Sequence, residues 1–96
     1  MGEPGGQGAT VLREVTLRCR PGGCGPGQPE VLVVLVTEHA DAGERWFELR
    51  GEDLAGRVQF SFRDARRLEV LEEFDRTVGE LLVKYSPTEE RRVVHG

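Results

Sequence analysis

Lysine, isoleucine and asparagine are nearly or wholly missing from this 96-residue chain. Lys84 is the only lysine, and the other basic residues are all arginine. Such a bias looks like the imprint of a GC-rich gene. Its physical consequence is a surface of planar guanidinium forks that can pair bidentately with the many carboxylates. With only two cysteines, Cys19 and Cys24, the chain cannot build a multi-disulfide scaffold or supply four thiolates to zinc. The two histidines, His39 and His95, have no metal-site spacing to either cysteine. No lysine precedes a serine or threonine, so the Gly-rich stretches GEPGGQG and GGCGPG are not phosphate loops.

Long apolar runs are also missing. The longest, Val31 to Val36, is far too short to span a bilayer. The start, MGEPGGQG, has neither the basic residue nor the apolar segment of a secretory signal. The expected location is cytoplasmic or nuclear, with no membrane partner. There is no surplus of positive charge: the net charge is -4 and the pI about 5.2. Nucleic-acid affinity comes mainly from neutralising phosphates, so this balance argues against nucleic acid as a partner.

Candidate catalytic groups do not assemble. His39, Asp41 and Ser61 are the types of a hydrolytic triad, but no nucleophile elbow or oxyanion turn accompanies the serine. Glu69, Glu72, Glu73 and Asp75 read as the solvated face of a helix, because no histidine joins them at helical spacing. The sequence therefore assigns no catalytic, cofactor-binding or metal-binding residue.

What is present is one thin core. At this length folding buries roughly 60% of the unfolded surface. The apolar residues, 38% of the chain, are clustered rather than dispersed. Residues 1–9 are a Gly-rich tail. Residues 10–19 alternate, with Val11, Val15, Leu17 and Cys19 on one face, and predict a strand. Residues 20–29 are a Gly-Pro loop. Residues 31–37 are apolar on both parities and predict a central strand covered on both sides. Residues 38–44 predict a turn, with Asp41 and Gly43 taking the unusual backbone angles, and 45–50 the return strand. There Phe47 and Leu49 face one way, Trp46, Glu48 and Arg50 the other, and Trp46 forms a lid at a sheet edge.

Residues 51–57 break the pattern, with Leu54 tucked inward, and 58–62 predict a fourth strand. From 64 to 85 the period becomes helical. Ala65, Leu68, Leu71, Phe74, Val78, Leu81 and Tyr85 form a stripe, with Ser61 or Asp64 as cap. Ser86, Pro87 and Glu89 then have the order of a capping box and predict the start of a second helix. The aromatic residues Trp46, Phe60, Phe62, Phe74 and Tyr85 are expected to form the core rather than line a ligand pocket.

The expected fold is α+β: a small, mostly antiparallel four-stranded sheet with one long C-terminal helix on one face and the start of a second helix. The domain spans 10–85, and 86–96 form a short helical segment or tail. A sheet, a packing helix and a departing helix resemble, in layout and without a shared motif, the head domains of centriolar cartwheel and DNA end-joining scaffold proteins.

One helix shelters one face, so a strand apolar on both faces calls for an outside cover. The expected function is thus a non-catalytic adaptor or assembly domain whose partner is a protein or a second copy of the chain. Its contacts would be Leu32, Val34, Val36 and Trp46 on the uncovered face and Val93 and Val94 at the helical exit. The alternatives are a small-molecule-binding or enzyme accessory domain, and a thiol-dependent regulator using Cys19 and Cys24. Ser86 before Pro87 is a candidate phosphorylation site.

Overall fold

Each alternating stretch pairs with its neighbour in the chain. In the computed structural model, which describes residues 8–88, the strands are β1 (Gly8–Cys19), β2 (Val31–Asp41), β3 (Glu44–Asp53), β4 (Val58–Asp64) and β5 (Tyr85–Thr88). The helix α1 (Arg67–Leu81) lies between β4 and β5. The sheet is antiparallel throughout, in the order β4-β3-β2-β1-β5. The fold is α+β as expected, but with five strands rather than four and a single helix among the described residues.

The fifth strand replaces the expected second helix. Ser86 pairs with Arg18, Pro87 with Leu17 and Thr88 with Thr16, so Ser86 and Pro87 lie in a ladder, while Glu89 lies outside the described residues. A capping signal is local, and it yields here to the free edge of β1. Pro87 has no N–H to contribute, which an edge strand tolerates. The helix departing from the scaffold heads has no counterpart in residues 86–88. Val93, Val94 and the rest of 89–96 lie outside the described residues, as does most of the Gly-rich tail.

Two bulges shift the expected faces. Val11 pairs with Thr37 and Arg13 with Val36, leaving Leu12 as the extra residue. One inserted residue reverses side-chain parity. Leu12 therefore packs against the core, whereas Val11 is exposed. The second bulge lies where Gly51 pairs with Phe60 and Glu52 with Val58. The strand continues through Gly51 because the Phe60 ring fills the space where a Cβ would stand. Leu54, expected inside, is exposed on the turn that follows.

The β2–β3 hairpin is also tighter than expected. Asp41 is still in the ladder opposite Glu44, and only Ala42 and Gly43 turn the chain, at φ 52° and 85°. Two successive positive φ angles match the right-handed twist of the paired strands.

The helix is shorter than its apolar stripe. Arg66 is its N-cap residue, with no side-chain cap, and Asp64 accepts the Arg66 N–H at 2.7 Å just upstream. Val70 is fully buried, while Leu71, Phe74, Val78 and Leu81 are half-buried against the sheet. Leu68 is exposed rather than part of the stripe. The core joins Leu17, Leu32, Val34, Val36, Phe47, Leu49, Val70 and Tyr85.

Candidate functional site

Leu32, Val34 and Val36 do not form an uncovered face. They point toward α1 and are 3%, 0% and 0% exposed. The opposite parity of β2, Val31, Val33 and Leu35, is also closed, at 5% exposure or less. Register sets charged residues beside this row. Arg18 stands opposite Val31, Glu52 opposite Val33 and Arg50 opposite Leu35, all on that second face. Their aliphatic stems can pack beside the apolar row, and the Arg18 head pairs with Glu30 at 2.8 Å. Arg50 Nε lies 2.7 Å from Glu52 Oε2, close but without hydrogen-bond alignment, and Arg50 Nη1 lies 3.9 Å from Glu48 Oε1. The second face of β2 is thus closed within the chain, and the argument for an outside cover on it does not hold.

Trp46 lies on this second face, half-buried. Its ring stacks on His39, with centroids 5.1 Å apart and planes 3° from parallel, and Arg63 Cζ sits 5.2 Å from its centroid. His39 Nε2 is 2.8 Å from Thr37 Oγ1 and 3.4 Å from Glu48 Oε1. Trp46 is therefore part of a packed polar cluster, and its indole Nε1 is buried with no partner among the described residues.

The open apolar surface lies elsewhere, at the end of the sheet where β2 begins. A wide-mouthed groove of about 620 Å³ runs between the C-terminal half of α1, the start of β4 and the Gly-Pro loop. Leu32, Phe60, Leu81 and Tyr85 supply apolar lining. Val83, 76% exposed, and Lys84 also line it, and so do Gln28 and Gln59. The helix ends here because the chain tightens into a turn: the N–H groups of Leu82, Val83 and Lys84 donate to Val78, Glu80 and Leu81. That turn carries Val83 and Lys84 outward before β5 begins. Glu80 is paired with Arg76 at 3.0 Å. The Lys84 ammonium has no ion pair or hydrogen bond among the described residues.

The groove's other wall is the Gly-Pro loop, and it is tied down at several points. Cys19 and Cys24 form a disulfide, with Cα atoms 5.9 Å apart. The Tyr85 hydroxyl donates to the Pro29 carbonyl at 2.9 Å, and burial holds the Tyr85 phenol above its ordinary pKa. The Arg20 N–H donates to the Lys84 carbonyl at 2.8 Å, and Arg20 Nε to the Leu82 carbonyl at 3.2 Å. Gly23 passes so close that a Cβ there would stand 2.5 Å from the Lys84 oxygen.

No family model matches the chain, and neither a curated protein nor a solved structure matches it. Among the described residues, no helix is long and apolar enough to cross a membrane.

Of the residues singled out from sequence, Leu32 alone of the described members of the interaction set lines the groove. Cys19 and Cys24 clamp its wall, and Ser86 follows Tyr85 in β5, half-buried, not at a helix N-terminus. Phe60 and Tyr85 belong to a pocket lining as well as to the core. Val83 and Lys84 were hidden by the assumption of a helix continuing to Tyr85.

Proposed function

We propose that this chain is a non-catalytic protein-binding domain. Its groove receives an extended segment of a partner protein, with an apolar side chain seated in the groove and carboxylates beside it. The observation that carries this reading is an apolar floor, left open by the domain's own helix, next to a cation with no partner among the described residues. Half-buried Phe60 and Leu81 offer the floor, with buried Leu32 and Tyr85 beneath, and Lys84 stands at the rim. Anchors of this kind supply most of the affinity in protein recognition, while rim charges select and orient the partner.

The groove's shape favours a peptide over a small molecule. Small-molecule sites enclose most of their ligand, and this one is broad at the mouth. An extended backbone also suits the position of Gln59 and Phe60. They belong to β4, the edge of the sheet, whose outer side is unpaired among the described residues.

Fluorescence polarisation with two peptide pools tests the proposal. Both pools carry a central leucine, flanked by glutamate in one and by lysine in the other. The glutamate pool should bind, Lys84→Glu should reverse the preference, and Val83→Glu should abolish binding while circular dichroism stays unchanged. Equal binding of the two pools, no binding, or indifference to both substitutions would overturn it.

A further inference from the structure

We infer that the Cys19–Cys24 disulfide is a thiol-operated gate on the groove: closed, it fixes the wall a partner docks against, and reduced, it releases that wall. The inference rests on the docking reading for its binding arm and on the loop's own connections for the rest.

The bridge closes a short circuit. Cys19 is the last residue of β1, and Cys24 lies five residues on, in the loop that supplies Gly27, Gln28 and Pro29 to the groove. Within that circuit the Gly23 N–H donates to the Arg20 carbonyl at 2.7 Å, and Arg20 N–H holds the Lys84 carbonyl. The disulfide, the loop and the Lys84 rim are thus one mechanical unit. Beyond Cys24 the loop folds on itself: Gly25 N–H donates to Gln28 Oε1 at 2.9 Å, and Gln28 N–H to the Gly25 carbonyl at 3.2 Å. Its far end is secured by the Tyr85 hydroxyl bond to Pro29, the Cys19 N–H bond to Glu30 and the exposed Arg18–Glu30 ion pair at 2.8 Å, none of which lies between Arg20 and Gln28. Three prolines and four glycines within 20–29 give this segment no ladder or helix to fall back on.

The chemistry requires a dithiol reductant. One of its thiolates attacks a protein sulfur, the Sγ–Sγ bond breaks, and a mixed disulfide forms. The second thiol of the reductant then displaces the protein sulfur and closes a disulfide within the reductant. Two electrons pass to the protein, Cys19 and Cys24 each take up one proton, and the reductant leaves oxidised. In a reducing compartment the wall would be loose, and in an oxidising one it would be set.

Three forms of the whole chain test the gate: air-oxidised, dithiothreitol-reduced, and the Cys19→Ser/Cys24→Ser double variant. Amide hydrogen exchange is read at Arg20, Gly23, Gly25 and Gln28, with Val33 to Leu35 as the control, and the glutamate-flanked leucine pool is titrated against each form. Loop exchange should rise, and binding weaken, by between about threefold and about thirtyfold, the ceiling being the closure entropy of so short a ring. The reduced form and the double variant should agree, and the control amides should not move. Equal loop exchange in all three forms would overturn the gate. So would an equal rise at the control amides, which would make the disulfide a global stabiliser, or two alkylatable thiols in the air-oxidised protein. If no form binds the pool, the docking reading fails, and loop exchange still decides the gate.

Discussion

Gly51→Ala probes the groove from beneath. A Cβ at residue 51 would intrude on Cζ and Cε2 of the Phe60 ring and stand 3.0 Å from Cδ2, where carbon contacts settle at roughly 3.5–4.0 Å. The ring must move. Overpacking of this kind costs about 1–3 kcal/mol. Phe60 is half-buried on an edge strand, so its ring can swing outward, which keeps the cost to about 2 kcal/mol. Alanine also restricts the unfolded chain, which returns about 0.4–1 kcal/mol. The net expectation is a loss of about 1 kcal/mol. In a Phe60→Val background the colliding ring atoms are gone, and Gly51→Ala should become neutral or stabilising by about 0.5 kcal/mol. The coupling between the two positions is then about 1–2 kcal/mol. Urea unfolding followed by Trp46 fluorescence, the only tryptophan signal in the chain, measures all four corners of the cycle. Equal effects of Gly51→Ala in the two backgrounds would refute the reasoning, because the ring would then not occupy the glycine's space.

Ala42 sits at φ 52°, a left-handed conformation that asparagine tolerates better. Ala42→Asn should stabilise by about 0.5–1 kcal/mol in thermal unfolding. Tyr85→Phe deletes the hydroxyl bond to Pro29 and should cost about 0.5–1.5 kcal/mol in the same assay. Burial raises the folded-state pKa of Tyr85 above its ordinary value of 10.0. The neutral phenol is therefore favoured by folding. Its contribution is complete below the unfolded pKa and is lost as pH rises through the folded one. Alkaline unfolding curves should show that loss in wild type and not in Tyr85→Phe. Val70→Ala should cost about 2 kcal/mol, whereas Leu68→Lys should stay within about 0.5 kcal/mol, since Val70 is fully buried and Leu68 is 64% exposed.

The strands β1 to β4 and the helix were legible because period two and period 3.6 are properties of the chain itself. The same reading failed wherever pairing decided the outcome. The bulge at Leu12 cannot be seen in β1 alone, since it exists only relative to β2. Ser86, Pro87 and Glu89 meet the local chemistry of a helix start, but residues 86–88 face an unpaired stretch of β1 after the turn at 82–84. Burial of both faces of β2 was also legible in the run from Val31 to Thr37. The neighbours of that row were not: Arg18, Arg50 and Glu52 read as polar surface, yet their register sets them beside it. The groove was least visible. Its lining comes from β2, β4, α1, the Gly-Pro loop and the turn before β5, and no local window contains them together. The disulfide is of the same kind, because a spacing of five residues permits a bridge without specifying one.

An amide NMR titration of the air-oxidised chain with the tightest glutamate-flanked peptide bears most directly on the docking groove. The account predicts shifts concentrated at Gln28, Leu32, Gln59, Phe60, Leu81 and Val83 to Tyr85, with Trp46, Glu48 and Arg50 unmoved. Shifts centred on the Trp46–His39 stack, with the groove amides silent, would contradict it.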